Sequence, residues 1–435
     1  MKSWITEYKS KLRSADEAVK LVKSGDRIMP THCAGEAKLL IDALLRRADE
    51  LENVELWAGL NLSEGEYCNP KYEGHIHAST TFASPGTRKA IWDERAYFSP
   101  IHFHQFPALF REGVIKLNGY FGHVSQPDEN GYVSFGISVD MARACIESSD
   151  YKIALVNKQM PRTAGDTLVH ISKFDCIVEC DEPLYERAKT NGDDPIMEKI
   201  GKRIADLIED GSCLQMGQGK LPDAILKHIG GKKDIGIHTE VFSDNLLPLI
   251  EVGVITGAKK TLDKNKIVAA FIQGTKELYE YVNNNMMLHM MSVEYTNDPF
   301  VIAQQDKMIA INSALEIDLM GQVAAESQGP RQYSGIGGQL DFLRGAAASK
   351  GGKPIIALPS TAKNGTISRI SAVLKKGTPI TSTRQDVQWV ITEHGAVNLL
   401  GRNIHERAKL LISIADPKFQ ESLEREFAEY MAASR

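Results

Sequence analysis

At 435 residues the chain is too long for a single hydrophobic core, so two domains are expected. Its apolar fraction of 43% and charged fraction of 25% are those of an ordinary soluble globular protein. A net charge of -5 is too mild for a nucleic-acid or acidic-lipid surface, and no run has the length of a membrane span or the pattern of a signal peptide; the expected location is cytoplasmic, with no nucleic acid and no membrane as partner.

In chain order, residues 21–29 read as the end of a helix, the turn glycine Gly25 and a strand. Then come Pro-Thr-His-Cys-Ala-Gly, a helical stretch over 36–51 and a strand over 54–57. Residues 125–132, with Pro-Asp and Asn-Gly, have turn chemistry. They lead into Gly136-Ile-Ser-Val-Asp140-Met-Ala-Arg143 and strands over 151–156 and 174–180. The last of these holds Cys176 and Cys180, the only close pair among six cysteines; no second Cys/His pair stands at zinc spacing, so buried, reduced thiols are expected. The polar stretch 180–194 reads as a boundary, giving an N-terminal domain 1–190 and a C-terminal domain 191–435. A helix over 197–210, apolar at Ile200, Ile204, Leu207 and Ile208, opens the second. After Gly211 follow a strand to Gln215, the loop Gly217-Gln-Gly-Lys220-Leu221, a helix over 222–229 and a strand over 235–238 that ends in Thr239 and Glu240. Further on lie Gly335-Ile-Gly-Gly-Gln-Leu-Asp-Phe342, a strand over 354–358, the run Trp389-Val-Ile-Thr-Glu-His394, and a capped amphipathic helix over 416–433 suited to packing.

The two halves echo each other. Helix, turn glycine, strand, glycine-bearing loop, helix and strand recur around Gly25 and Gly211, and Gly136/Asp140/Arg143 recurs as Gly337/Asp341/Arg344 at the same spacing. The expected fold class is therefore α/β: two similar domains arisen by duplication, each a mainly parallel sheet covered by helices, with the active site in a cleft between them.

Four features carry candidate chemistry. Glu240, at the end of a short apolar strand, is placed where parallel strands deliver residues to a ligand. Glu393 follows a strand in the same Thr-Glu pattern, and local pattern does not separate the two. The loop 217–220 is neither a Walker A loop nor a dinucleotide fingerprint, yet glycine lets amides approach a ligand closely. The glycines of Ser334-Gly-Ile-Gly-Gly-Gln339 each cost stability in a helix or strand, and suit a loop whose amides donate to a developing oxyanion. The pairs His75/His77 and His102/His104 could ligate a metal, but the further ligand series of a metal-dependent hydrolase is missing and no metal site is expected.

With these residues in hand the chain resembles the acetyl-CoA hydrolase/transferase family of class I coenzyme A transferases, most closely its 4-hydroxybutyrate branch. The resemblance runs through Ser14-Ala-Asp-Glu-Ala-Val, Asp128-x-Asn-Gly-Tyr, Gly217-x-Gly-x-Leu-Pro-Asp, Gly236-Ile-His-Thr-Glu240, Gly335-x-Gly-Gly-Gln-Leu-Asp-Phe and Leu358-Pro-Ser-x-Ala-Lys363. It implies that Glu240, not Glu393, is a nucleophile in ping-pong transfer, with oxyanion-stabilising amides at Gly337 and Gly338. It further implies a coenzyme A site formed by Gly217, Gln218, Gly219, Lys220, Leu221, Gly338 and Lys363. Gln218 and Lys220 depart from the small or apolar residues usual there.

No tightly bound cofactor is implied; acyl-CoA and a short-chain carboxylate are the substrates, and a homodimer or dimer of dimers is expected. 4-Hydroxybutyrate with acetyl-CoA or butyryl-CoA is the favoured pair, ahead of butyryl-CoA:acetate, propionyl-CoA:succinate and acetyl-CoA hydrolysis. Acceptor choice is expected to depend on His32, Glu36, residues 84–88 and His104. A non-catalytic acyl-CoA binder and a metal-dependent hydrolase are the readings from other classes.

Overall fold

The computed structural model describes residues 3–188 and 194–433. The boundary expected near residue 190 falls on 189–193, outside the described residues.

The first unit is built on a sheet of seven parallel strands, β1 (Arg27–Pro30), β2 (Val54–Trp57), β3 (Ile76–Thr80), β4 (Ala96–Phe98), β5 (Gly119–Val124), β6 (Tyr151–Asn157) and β7 (Cys176–Cys180), in the order β7-β6-β5-β1-β2-β3-β4. All six residues of β5 are buried, as a central parallel strand requires. Between β1 and β2 the helix Lys38–Arg46 turns Leu40, Ile41, Ala43, Leu44 and Leu45 into a core shared with Ile28, Leu56, Phe121 and Ile153. This helix is shorter than the expected 36–51, being flanked by 3-10 turns at Cys33–Gly35 and Ala48–Glu50. Cys33, in the first of these turns, holds φ at 57°, a left-handed conformation that a side-chain-bearing residue rarely adopts. The turn-rich segment 125–132 is closed by Asp128, whose Oδ1 accepts the Asn130 and Tyr132 amides, and leads into Tyr132–Ser134, antiparallel to Leu168–His170.

The second unit carries β8 (Cys213–Met216), β9 (Gly236–Ile237), β10 (Met308–Ser313), β11 (Lys353–Ala357), β12 (Trp389–Ile391) and β13 (Ala396–Asn398), ordered β9-β8-β10-β11-β12-β13. Only the last pair in this sheet is antiparallel. The helix expected over 197–210 runs instead over Pro195–Leu207: Asp194 Oδ1 accepts the Ile196 and Met197 amides, and Pro195 is preset for the first turn. The C-terminal helix Pro417–Ala433 buries Leu423 and Phe427 in a core with Leu343, Ile356 and Val390, so its apolar stripe is a packing face.

Five neighbouring strands follow one order in both sheets, β7-β6-β5-β1-β2 and β12-β11-β10-β8-β9. A division at a single point, however, does not describe the chain: after residue 190 it returns to the first unit at Val241–Asp244 and Val268–Thr296. There Val241–Phe242 pairs in parallel with Phe271–Ile272. Among the described residues no helix is long and apolar enough to cross a membrane.

Candidate active site

Glu240 is delivered by an extended segment rather than by a long strand. β9 is only two residues, paired through Leu214 and Ile237, but the chain beyond it keeps running beside β8. The His238 amide donates to the Leu214 carbonyl at 3.1 Å, and Thr239 Oγ1 donates to the Met216 carbonyl at 3.0 Å. Both residues are buried, whereas Glu240, the next along, is partly exposed past the carboxyl ends of the strands, where parallel sheets bind ligands.

Two residues distant in sequence meet that carboxylate. Asn297 Nδ2 donates to Glu240 Oε2 at 2.7 Å. Asn297 is fully buried, and its Oδ1 has no hydrogen-bond partner among the described residues. Gly338 caps the ten-residue helix Gln339–Ala348, and a methyl group built on it would overlap both Glu240 Oε2 and Asn297 Nδ2. Only glycine allows the carboxylate to come so close to this turn. The neighbouring Gly337 holds φ at 53°, again a conformation that favours glycine. The helix dipole makes its N-terminus a favourable place for an anionic oxygen.

Glu393, alike in local sequence, has a different environment. Its carboxylate accepts the Ser360 amide at 2.8 Å and the Ser360 hydroxyl at 2.7 Å, and its side chain is 8% exposed. Both oxygens are committed to holding the loop after β11.

The remaining residues of interest occupy separate loops of the second unit. Gly217, Gln218 and Gly219 link β8 to the helix Lys220–Leu226; Gly219 holds φ at 122°, and a methyl group placed on Gly217 or Gly219 would meet nothing within 4 Å. Leu221 is buried, while Lys220 lies 3.4 Å from Asp194, the residue that caps the helix Pro195–Leu207. Lys363 is exposed in the turn joining Thr361–Ala362 to Ile367–Ser368, where both it and Asn364 have positive φ.

The candidate acceptor residues all lie in the first unit. His32 Nδ1 stands 3.2 Å from Asp140 Oδ2, and burial pushes the imidazole pKa down and the carboxyl pKa up. Glu36 Oε1 accepts the Asn61 amide at 2.7 Å, and burial raises its carboxyl to about 7 against the pull of Asn61 and Lys38. Ser84 and Thr87 form a capping box at the helix Pro85–Trp92. Of the histidine pairs, His75 Nδ1 contacts the Leu51 carbonyl at 2.7 Å, His77 packs edge-on against Tyr97, and the His102 and His104 rings lie 5.9 Å apart. Among the described residues no three His, Cys, Asp or Glu side chains converge in a group able to hold a metal ion.

Of the residues singled out in sequence, the structure brings Glu240 and Gly338 together, and it adds Asn297, which the sequence did not mark. Nothing around Asn297-Asp-Pro marks it beyond a helix start, and its partner is 57 residues away.

Comparison with known proteins identifies the family. Residues 2–185 match the acetyl-CoA hydrolase/transferase N-terminal domain and residues 274–427 its C-terminal domain. The chain is 44% identical to the 4-hydroxybutyrate coenzyme A transferase of Clostridium kluyveri, covering 98% of this chain and 99% of the relative. It is similar in structure to RipA from Yersinia pestis (TM-score 0.93, 36% identity, 99% of each chain). A 4-hydroxybutyrate CoA-transferase from Porphyromonas gingivalis gives a TM-score of 0.85 at 39% identity, over 98% of this chain and 100% of that one. Matched over both domains and nearly end to end, the chain belongs to the acetyl-CoA hydrolase/transferase family and is a CoA-transferase.

Proposed function

We propose that the chain moves coenzyme A between short-chain carboxylates through Glu240. The observation that carries the reading is the Glu240 carboxylate held by the Asn297 amide against a glycine that has no room for a side chain. A nucleophile fixed in this way loses little freedom on the way to its transition state.

A Glu240 oxygen attacks the acyl-CoA carbonyl carbon; the C–S bond breaks, and CoA thiolate leaves an acyl-glutamyl anhydride. The thiolate then attacks the glutamyl carbonyl, releasing the first carboxylate and forming a glutamyl-CoA thioester. An incoming carboxylate attacks that thioester, and the thiolate finally attacks the new anhydride at its acyl carbonyl, leaving as the new acyl-CoA and regenerating Glu240. Each addition develops an oxyanion, for which the amides at Gly337 and Gly338 and the Asn297 amide are the donors at hand. The thioester energy is conserved, so the scheme needs neither ATP nor a metal.

Gly217, Gln218, Gly219, Lys220 and Leu221, with Gly338 and Lys363, are the proposed coenzyme A contacts. The open space above Gly217 and Gly219 supports close approach of a ligand to the backbone. Lys220 would have to leave Asp194 to meet a phosphate. 4-Hydroxybutyrate with acetyl-CoA or butyryl-CoA is the favoured pair, supported by the relative from Clostridium kluyveri. His32, Glu36, residues 84–88 and His104 are the residues proposed to set acceptor choice. The protein is proposed to act in the cytoplasm as a homodimer or dimer of dimers, and the common order of five strands in the two sheets supports an origin by duplication.

The test is incubation with an acyl-CoA and no acceptor, followed by mass spectrometry of the peptide containing Glu240. A CoA adduct on Glu240 is expected; an adduct on Glu393, or full transfer by Glu240→Ala, would refute the assignment. The rate of CoA release without acceptor, against the rate of transfer, separates hydrolysis from transfer.

A further inference from the structure

β9 is the edge strand of its sheet, with β8 on one side and, among the described residues, no strand on the other. The Gly236 and His238 amides point to β8, donating to Ser212 and Leu214. Carbonyls at Ile235 and Ile237 find their donors elsewhere. Ile235 O accepts the Thr256 and Gly257 amides at 3.1 and 3.0 Å, and Ile237 O accepts Lys260 Nζ at 3.1 Å. The same ammonium group donates to the Lys266 carbonyl at 2.9 Å.

Lys260 is 2% exposed, an unusual state for lysine. Both hydrogen-bond acceptors are carbonyl oxygens, and burial pulls its pKa below the ordinary lysine value, opposed by Cys213 and Asp263. Its aliphatic stem fills the space left by the missing side chain of Gly236: a methyl group there would meet Lys260 Cγ at 2.5 Å. Strand and lysine are thus locked at two points, the stem at Gly236 and the ammonium group at Ile237. A buried cation held by carbonyls rather than by a carboxylate is costly, and stability alone favours an apolar side chain of the same length.

Resting on the reading of Glu240 as nucleophile, we infer that Lys260 is a positioning residue for it. Its side chain does at one point what an additional strand would do along a whole edge. It fixes the Ile237 carbonyl, three residues before Glu240, on the edge away from β8, while His238 and Thr239 stay bonded to β8 and carry the chain on to Glu240 beside Asn297 and Gly338.

Lys260→Met tests this by keeping the stem and removing both hydrogen bonds. Its unfolding temperature is expected to equal or exceed that of the wild type, and its KM for acyl-CoA to be unchanged. The CoA adduct on Glu240 is expected to form about 10²-fold more slowly, the scale of a misplacement near 1 Å, yet to reach the wild-type final occupancy. Lys260→Gln, which retains a donor, is expected to fall between the two. Adduct formation at the wild-type rate would overturn the inference. So would a loss of occupancy that follows a lowered unfolding temperature with the rate unchanged, because that marks a purely structural role. Failure of both variants to fold makes Lys260 a folding residue and equally defeats the inference. If the wild type itself forms no adduct on Glu240, the nucleophile assignment fails, an outcome distinct from all of these.

Discussion

The same position in the two sheets holds a carboxylate in one and a glycine in the other. Ile28 pairs with Leu56 in the first sheet and Leu214 with Ile237 in the second; three residues past Leu56 stands Gly59, and three past Ile237 stands Glu240. A side chain on Gly59 would run into the ring of His32, which occupies that space beside Asp140. The second sheet thus presents a carboxylate at a position where the first accommodates a buried histidine. A common strand order carries no chemistry by itself; the residue placed just past the strand end decides what the frame can do.

Replacing the carboxylate should have the largest effect. Glu240→Ala is expected to lower kcat by more than about 10⁴-fold, the range seen for lost nucleophiles, with unfolding unchanged by calorimetry. Substantial residual transfer would remove the contrast between the sheets.

The buried carboxyl of the first unit gives a different signal. Burial raises Glu36 to about 7, so the folded state holds its proton more tightly than the unfolded chain does. That contribution is complete below the ordinary carboxylate range and is lost as pH rises through about 7. Glu36→Gln, which does not ionise, should therefore gain stability relative to the wild type between pH ~4.5 and ~8, by up to about 3 kcal/mol in urea unfolding. A difference that does not vary with pH would break the argument.

A matched pair of substitutions sharpens the comparison. Gly338→Ala places a methyl group against Glu240 and Asn297 and should slow transfer by about 10²-fold. Gly59→Ala places one against His32 and should cost about 1–3 kcal/mol of stability, read from the unfolding midpoint. Equal effects of both on transfer rate and on stability would blur the distinction. The smallest expected effect is that of Glu393→Gln, which weakens the two Ser360 contacts by about 1 kcal/mol and leaves transfer intact.

What sequence alone revealed follows from how local each feature is. The strands, the loop 217–221, Glu240 and the Gly-x-x-x-Asp-x-x-Arg echo are written in short runs, and the structure places strands, turns or the first turns of helices at or close to those runs. Element ends were less legible: Asp194 starts its helix by a capping contact, and the expected 36–51 helix begins only at Lys38, after the turn Cys33–Gly35, and stops at Arg46 before the turn Ala48–Glu50. Asn297 and Lys260 were illegible for a physical reason. One is defined by a contact 57 residues away, and the other is a lysine buried against the usual preference for solvent. The returns of the chain at 241–244 and 268–296 rest on strands too short to show a hydrophobic period, such as Val241–Phe242 with Phe271–Ile272.

Those returns bear on how the protein can be taken apart. Glu240 is the last residue before the chain re-enters the first unit, and Asn297 is the first after it leaves for good. A gene cut near codon 190 would give an N-terminal product lacking Val241–Asp244 and Val268–Thr296, and a C-terminal product carrying those segments without the unit in which they pack. Separate expression of these two products is therefore expected to give insoluble or partly folded fragments, and co-expression to recover them. Evolution could exchange one half for another only if the new half also received these two inserted passages.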